Sequence, residues 1–281
     1  MSFTVRDAFG QGFELEAPAR RIVSLIPSIT EILFSLGVGE QVVGVTKFCT
    51  EPAERVRGKP KVGGPKNPRR EAILGLMPDL VIANVEENHQ ADVDALRAAG
   101  VPVFVTYPRT VREGIQLIRD LGALVGKTSS ADAIGAMGEE ALAAIEQRPD
   151  GRERVRVFCP IWRRPYMTIN ADTYMDSMLW TCGGENIFRN SPDRYPTVDL
   201  TEMARLRPDV VLLPDEPFPF GQKHLEDFRG MADVPAILTG RLHFVDGKVL
   251  SWYGPRIAES LRTLTGILHA GSGRHRELVI R

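Results

Sequence analysis

The chain has 281 residues, which is enough for two domains of ordinary size. Its 35 basic and 36 acidic residues leave a formal net charge of −1, so there is no global field to attract nucleic acid or an anionic membrane. No apolar run in the sequence reaches the roughly 18 residues that a membrane-spanning helix needs. We therefore predict neither nucleic-acid binding nor membrane insertion.

The N-terminal segment, 1–11, mixes charge with glycine and lacks the continuous apolar stretch of a secretory signal. The sequence as it stands predicts a cytoplasmic protein, or an extracytoplasmic one whose leader peptide has been removed. The three cysteines, Cys49, Cys159 and Cys182, have no metal-type spacing. An odd number of such thiols is typical of a reducing compartment rather than of a disulfide framework.

The first half of the chain alternates predicted strands and helices. A β-prone run over 21–26 ends at Pro27, and Ser28 and Glu31 then have the spacing of a capping box. Asn67 predicts another helix cap, with Pro68 at the first helical position. The other predicted strands of this half are 41–46, 80–83 and 101–106, and the other predicted helices are 90–99 and 110–125. This alternation predicts a parallel sheet flanked by helices.

A single long helix is predicted over 129–148, a segment rich in alanine, glutamate and methionine. About twenty helical residues span roughly 30 Å. A flexible linker would instead be rich in Gly, Ser or Pro. The segment therefore predicts a stiff connector between two lobes.

The second half repeats the pattern of the first. The pair Pro78-Asp79 follows a predicted helix and precedes a buried strand, and Pro208-Asp209 does the same 130 residues later. The predicted elements here are a strand at 155–159, helices at 172–182 and 201–207, and a strand at 210–213. We predict two α/β lobes, 1–127 and 150–281, joined by a helix over 128–149, with a ligand cleft between the lobes at the carboxyl ends of their strands.

Enzyme signatures are missing from the sequence. It contains no GxSxG, no GxxxxGK[ST], no HExxH and no GxGxxG after a strand. The five histidines include no pair at metal-ligand spacing. We therefore predict no catalytic residues, no metal site and no required cofactor.

Candidate ligand contacts fall in the segments that follow the predicted strands. Acidic pairs follow the two matching strands: Glu86 with Glu87, and Asp215 with Glu216. Turn-like segments also hold aromatic residues, namely Phe48, Trp162, Tyr166, Tyr195, Phe218, Phe220, Trp252 and Tyr253, and arginines that offer bidentate donors, namely Arg163, Arg164 and Arg256. Rigid aromatic walls with a few polar groups are typical of a small-molecule pocket. The alternative is that several of these rings only cover the hydrophobic core.

The predicted helix start at Ser28 would present backbone N–H groups to an anion or a carbonyl group. The alternative is an ordinary helix start without a ligand.

Three segments resemble the helical-backbone substrate-binding proteins of ABC importers for vitamin B12, haem and iron–siderophore chelates. They are 21–37 (RIVSLIPSITEILFSLG), 78–83 (PDLVIA) and 182–188 (CGGENIF). The sequence is most similar to the B12-binding branch of this family, and the resemblance runs from about Phe3 to about Leu268. It implies two Rossmann-like lobes, a rigid connecting helix, little closure on binding and a monomeric protein that performs no chemistry.

The resemblance also implies site residues. Phe48 lies where the B12-binding branch has a tyrosine, and Tyr195 where it has a tryptophan. Trp162 lies near the aromatic residue that opens the second lobe. Pro65 occupies the position of another ligand-stacking tryptophan. One wall of a corrinoid site therefore differs in this chain.

In this family, one glutamate of each lobe docks on arginines of the permease. Glu71, seven residues before Pro78, lies at the first of these positions. The residue seven places before Pro208 is Thr201, and Glu202 follows it. One residue on a helix rotates a side chain by about 100°. The resemblance thus implies docking through Glu71, with Glu202 displaced from the second position.

Together, these features predict a binding protein for a corrinoid, haem or a ferric siderophore that feeds an ABC importer. The alternative is a cytoplasmic enzyme or delivery factor that acts on a tetrapyrrole or a metal cofactor without a transporter. A third possibility is an interaction module with a degenerate cleft.

Overall fold

A parallel four-stranded sheet, called sheet 1, forms the core of the first part of the chain. The computed structural model describes residues 3–147 and 153–270. Its elements before the long helix are, in chain order, β1 (Phe3–Arg6), β2 (Gly12–Leu15), β3 (Ile22–Ser24), α1 (Pro27–Ser35), a 3-10 turn (Gly39–Gln41), β4 (Val42–Val45), α2 (Ala53–Val56), α3 (Arg70–Gly75), β5 (Leu80–Asn84), α4 (Gln90–Ala98), β6 (Val103–Thr106) and α5 (Val111–Leu124). Sheet 1 has the order β4–β3–β5–β6, and β1 and β2 pair as a separate antiparallel hairpin.

The long helix α6 (Thr128–Glu146) agrees with the helix predicted over 129–148. Arg119 of α5 forms ion pairs with two acidic residues of α6, at 2.8 Å to Glu139 and 3.4 Å to Asp132. A Cβ atom on Gly122 would lie 2.2 Å from the Cβ of Ala131, so only glycine permits this close approach of the two helices. Among the described helices, none is both long and apolar enough to cross a lipid bilayer.

A second parallel four-stranded sheet, called sheet 2, follows α6. The elements are β7 (Val155–Phe158), β8 (Tyr166–Met167), α7 (Tyr174–Thr181), β9 (Gly184–Asn186), β10 (Thr197–Val198), α8 (Leu200–Arg205), β11 (Val210–Pro214), a 3-10 helix (Gln222–Phe228), α9 (Pro235–Leu238), β12 (Leu242–Val245), α10 (Lys248–Ser251) and α11 (Ile257–His269). Sheet 2 has the order β12–β11–β7–β9, and β8 pairs antiparallel with β10. Numbered within their own sheets, the strands of both sheets have the order 2-1-3-4. The predicted two-lobed α/β fold is therefore confirmed, because the two sheets have the same topology.

Two units contain these sheets. Unit 1 lies within Met1–Pro108, Arg112–Glu139 and Tyr253–Pro255, and unit 2 lies within Arg109–Val111, Glu140–Trp252 and Arg256–Arg281. The division between the units thus falls inside α6. The boundary predicted at 149/150 lies outside the described residues.

In its first copy, the repeated Pro-Asp pair connects a helix end to a strand start. Met77, which precedes Pro78, ends the segment after α3 in the left-handed region, with φ at 47°. The Asp79 carboxylate then accepts the backbone N–H groups of Arg20 and Arg21 at 2.8 and 2.9 Å. The Arg21 side chain donates in turn to the carbonyl of Leu76 at 2.7 Å. These contacts tie the end of α3 to the start of β3.

The second copy repeats this arrangement in unit 2. Arg207 has φ at 49°, and Asp209 accepts the backbone N–H of Arg156 at 2.9 Å. The Arg156 side chain donates to the carbonyl of Leu206 at 2.7 Å. The sequence repeat therefore marks a joint between helix and strand rather than a ligand contact.

Two predicted helix starts are wrong. Helix α1 begins at Pro27, its N-cap is Ile26, and no side chain caps it, so Ser28 is not a capping residue. Proline favours this earlier start because its fixed φ suits the first helical position. Helix α3 begins at Arg70, while Asn67 closes a turn with Gly64 instead of capping a helix. The short strands β1, β2, β8, β9, β10 and β12 were not predicted, because segments of two to four residues carry little periodicity.

Candidate functional site

Several of the predicted ligand contacts lie at the carboxyl edge of sheet 1, which we call edge 1. Ser28 follows β3, Phe48 follows β4, and the pair Glu86–Glu87 follows β5. These three strands are parallel neighbours, so their carboxyl ends lie at the same edge. Open α/β sheets bind ligands at this edge.

A buried network of neutral side chains holds edge 1 together. The Asn84 amide donates to the Tyr253 hydroxyl at 3.1 Å and to Thr106 at 3.3 Å, while its carbonyl oxygen accepts the backbone N–H of Glu86 at 2.8 Å. Asn88 accepts the backbone N–H of Asn84 at 2.8 Å. The network thereby fixes the turn that carries Glu86 and Glu87. Asn84, Asn88 and Thr106 were not predicted, although two asparagines four residues apart after a buried strand are a recognisable turn signal.

Ser28 and Tyr253, two predicted ligand contacts, belong to this buried network. Their residues are only 4% and 8% exposed. The Tyr253 hydroxyl forms hydrogen bonds with Ser28 and Thr106, and burial raises its pKa. Their side chains therefore support edge 1 as members of the buried network.

Phe48 presents an exposed ring at edge 1. It is 55% exposed, and the Lys47 ammonium lies 5.0 Å from its ring centroid. Pro65, by contrast, is buried, and its carbonyl accepts a hydrogen bond from the Asn88 amide at 2.9 Å. Lys66 beside it donates to the carbonyl of Glu86. The segment that carries Pro65 is thus joined to the acidic turn.

A second set of predicted contacts lies at the carboxyl edge of sheet 2, called edge 2. Trp162 follows β7, and Phe218 follows the neighbouring parallel strand β11. Their ring centroids are 5.7 Å apart at an interplanar angle of 70°. Trp162 is 44% exposed, and Phe218 packs in turn on Phe220 and His224. Edge 2 therefore presents an aromatic surface that rests on further rings.

An ion pair lies behind this surface. The Arg163 guanidinium donates to both oxygens of Asp227, at 2.6 and 2.8 Å, and the Tyr166 hydroxyl donates to the same carboxylate at 2.6 Å. These partners lower the pKa of Asp227 to about 2. The pKa of Tyr166 is raised, mainly by burial and also by its hydrogen bond to Asp227. Arg163 and Tyr166, both predicted ligand contacts, thus have protein partners, and Asp227 was not predicted.

The remaining acidic pair of unit 2 is also engaged by protein groups. Asp215 accepts the backbone N–H of Gly247 at 2.8 Å. Glu216 accepts a hydrogen bond from the Trp252 indole and another from Ser251 at 3.4 Å, and burial raises the pKa of its carboxyl. Trp252 is only 7% exposed. Lys248 and Arg256 each place a cationic group 5.7 Å from the Trp252 ring centroid.

Tyr195 lies beside β10 and is 37% exposed. The Arg194 guanidinium lies 5.7 Å from its ring centroid. Arg194 also pairs with Asp172 at 2.5 Å, and Arg109 pairs with the same carboxylate at 2.8 Å. The ring of Tyr195 therefore lies next to a network of ion pairs.

Helices α3 and α8 carry the predicted docking residues, and the sequences of the two helices align without a shift. Each has six residues and buries its fourth residue completely, Ile73 in α3 and Met203 in α8. Glu71 is the second residue of α3, and Thr201 is the second residue of α8. Glu202 is exposed, as Glu71 is, but it lies one position further along its helix. The start of α8 is thus not displaced to bring Glu202 into the phase of Glu71.

Within residues 3–147 and 153–270, no group of three or more His, Cys, Asp or Glu side chains could hold a metal ion. His224 is instructive, because its Nδ1 accepts the backbone N–H of Gly221 at 2.9 Å. A neutral imidazole with an accepting Nδ1 carries its proton on Nε2. Its second nitrogen is therefore a donor rather than an open metal ligand.

The matching sequence model identifies the chain as a member of the periplasmic binding protein family, over residues 22–249. The chain is 27% identical to the vitamin B12-binding protein of Vibrio campbellii over 273 residues, 95% of this chain and 94% of that protein. It is 31% identical over 271 residues to YvrC, an uncharacterised ABC transporter substrate-binding lipoprotein of Bacillus subtilis, covering 93% and 83% of the two chains.

The fold is also similar to a solved structure, the apo form of the periplasmic haem-binding protein RhuT from Roseiflexus. The TM-score is 0.78 at 29% identity, over 89% of this chain and 98% of that one. The family and these relatives are binding proteins. The resemblance that the sequence motifs predicted is thus confirmed.

Proposed function

We propose that this chain is the non-catalytic ligand-binding component of an ABC importer, and that its ligand is a metal chelate such as a corrinoid, haem or a ferric siderophore. The observation that carries the proposal is the pair of exposed aromatic side chains, Phe48 at edge 1 and Trp162 at edge 2, in a member of this family. Flat, rigid rings bind the apolar face of a macrocycle with little loss of side-chain entropy.

Each unit offers exposed groups that a ligand could contact. These groups are the ring of Phe48 and the exposed residue Glu87 at edge 1, the ring of Trp162 at edge 2, and the ring of Tyr195 beside β10. The buried residues Ser28 and Tyr253 would act only by keeping edge 1 rigid. These groups offer stacking and hydrogen bonding to a ligand. We therefore propose binding alone, without a reaction step and without a cofactor of the protein's own.

We further propose that the protein works outside the cytoplasm and docks on its permease as a monomer. Support for the location comes from relatives that are named periplasmic or lipoprotein binding proteins. Support for docking comes from Glu71, which is exposed near the start of α3. Because Glu202 is out of phase with Glu71, unit 2 would contribute less to docking.

The ligand class is tested by titrating the purified protein with cyanocobalamin, ferric protoporphyrin IX and a ferric tricatecholate chelate. Absorbance and tryptophan fluorescence report binding. We expect at least one ligand to bind with a dissociation constant near or below about 1 μM. If none of the three binds, the proposed function is wrong.

The site is tested by truncating its aromatic rings. We expect Trp162→Ala and Phe48→Ala each to weaken binding about tenfold or more, because stacking area is lost. The matched control is Trp180→Phe, since Trp180 is 39% exposed but is enclosed by the guanidinium groups of Arg154 and Arg189 at 3.5 and 3.6 Å. Unchanged affinity in Trp162→Ala would remove this ring from the site.

Docking is tested with Glu71→Arg in cells that express the chain with its permease. Uptake of the ligand should be lost while affinity in solution stays the same, because Glu71 is not among the proposed ligand contacts. Glu40→Arg is the control, since the Glu40 side chain is 93% exposed in the same unit. Normal uptake by Glu71→Arg would contradict docking through this residue.

A further inference from the structure

The turn after β7 carries three large side chains in a row, Trp162, Arg163 and Arg164. Backbone hydrogen bonds close this turn, from Ile161 N–H to the Met167 carbonyl at 2.8 Å and from Met167 N–H to the Trp162 carbonyl at 3.2 Å. From the sequence alone, Arg163 and Arg164 are equivalent candidates for a ligand contact. The structure separates them.

Arg163 is occupied within the protein. Its side chain is 15% exposed and forms the bidentate pair with Asp227, whose carboxylate also accepts the Tyr166 hydroxyl. Asp227 therefore holds the turn at two points, on either side of Arg164. The 3-10 helix that carries Asp227 is itself fixed by the hydrogen bond from Gly221 N–H to His224.

Arg164 differs from Arg163 in its exposure and in its partners. Its residue is exposed, and it forms no hydrogen bond or ion pair with the part of the chain that the structure describes. Its φ is 64°, in the left-handed region that non-glycine residues seldom adopt. Such backbone strain persists only where the surroundings impose it. The two contacts to Asp227 on either side impose it here.

The charges behind the aromatic surface also favour an anionic ligand group. The Asp227 carboxylate neutralises Arg163, which leaves Arg164 and Lys223 as cations of this region, both near enough to act electrostatically on His224. His224 lies against Phe218, the neighbour of Trp162. The acidic pair that follows β11, Asp215 and Glu216, is engaged by Gly247 and Trp252.

We propose that Arg164 is a specificity residue that binds a carboxylate substituent of a ligand whose ring stacks on Trp162, and that Asp227 is the positioning residue that turns Arg164 outward by retaining Arg163. This inference rests on the proposed function and goes further, because it selects carboxylate-bearing macrocycles over those with neutral substituents.

The probes that test it are ferric protoporphyrin IX, which carries two carboxylates, and its dimethyl ester, which carries none. We expect the unaltered protein to bind the acid about tenfold more tightly than the ester, because a charge-assisted hydrogen bond is lost in the ester. Arg164→Gln should remove this preference and leave the affinity for the ester unchanged. Trp162→Ala should weaken the binding of both probes by the same factor.

Asp227→Asn tests the positioning role. It should reduce the preference for the acid as Arg164→Gln does, and the double variant should show no further loss, because both changes act through one contact. A merely structural role would lower the affinity for both probes alike. Should Asp227→Asn fail to fold, Arg164→Gln on the surface still decides the proposal. Trp180→Phe is the control for both.

Each outcome separates this inference from the proposed function. If the unaltered protein binds cyanocobalamin or the ferric tricatecholate but neither porphyrin, the function stands and the inference is wrong. The inference is also wrong if Arg164→Gln changes the two porphyrin affinities by the same factor or changes neither. If no probe of either set binds, both proposals fail.

Discussion

Edges 1 and 2 are built on the same strand order, yet they are held by opposite kinds of chemistry. At edge 1, neutral amide and hydroxyl groups of Asn84, Asn88 and Tyr253 form a buried network. At edge 2, the Arg163–Asp227 ion pair and stacked rings do the same task. A common topology thus sets where the loops emerge, whereas the side chains that fix those loops are free to differ.

This difference predicts different sensitivities. A neutral network has no charge to lose, so pH should leave it intact, whereas removal of a single amide leaves several buried partners without a bond. The ion pair at edge 2 depends on an ionised carboxylate, so acid should weaken it.

The largest effect is expected for Asn84→Ala at edge 1. The change removes three side-chain hydrogen bonds, to Thr106, Tyr253 and Glu86, and should cost about 3 kcal/mol of unfolding free energy. Urea denaturation of the full chain measures it. The control is Gln90→Ala, which truncates an exposed amide in the same unit. A cost no larger than that of the control would show that the network is not what holds edge 1.

Acid should weaken edge 2 through Asp227. Because its folded pKa of about 2 lies below the ordinary value of 3.8, the carboxylate stabilises the fold fully above about pH 4. That contribution, on the order of 2 kcal/mol, is lost as the pH falls from about 4 to about 2. Urea unfolding across this range should show the loss, and Asp227→Asn should flatten the profile by this amount.

The pH profile of Asn84→Ala tests whether the two edges respond separately. Its stability should be lower at every pH, with the acid-dependent step of the unaltered protein retained. If the step disappeared in Asn84→Ala as well, the two edges would not be independent.

A smaller loss is expected for Gly247→Ala at edge 2. A Cβ atom there would lie 2.3 Å from the Cγ of Glu216 and 2.8 Å from its carbonyl oxygen. Overpacking of this kind should cost about 1–2 kcal/mol. Thermal or urea unfolding measures it, with Gly221→Ala as the control, because no atom lies within 4 Å of a Cβ at that glycine. Equal stability of the two variants would contradict the close approach.

The smallest effect is expected for His224→Asn. Burial and the nearby cations Arg163 and Lys223 lower the pKa of His224, so its neutral form stabilises the fold above pH 6.5 and this contribution is lost as the pH falls below that value. The asparagine keeps an acceptor for Gly221 but does not titrate. Stability between pH 7 and pH 5 should therefore fall less steeply in the variant.

His89→Asn is the control for this slope, because His89 is exposed. Part of the slope should remain in His224→Asn, since burial also lowers the pKa of His243. An unchanged slope would show that folding does not lower the pKa of His224.

Local sequence patterns were enough to predict the two-fold α/β repeat, the long helix and the family. Buried strands such as β5 and β11 are mainly apolar runs. The Pro-Asp pairs recur because each copy needs the same connection between a helix end and a strand start. The sequence also predicted which loops carry the aromatic rings. These features depend on local periodicity and on residues close together in the chain.

The role of each candidate side chain depends instead on contacts between residues that are distant in the chain. Whether an arginine is occupied or exposed depends on residues far away in the sequence, as Asp227 lies 64 positions from Arg163. The hydroxyl of the buried Tyr253 accepts a hydrogen bond from Asn84, which lies 169 positions earlier. Such long-range pairs leave no periodic signal, so composition and spacing predicted the aromatic and arginine residues but not the partners that select Arg164 over Arg163.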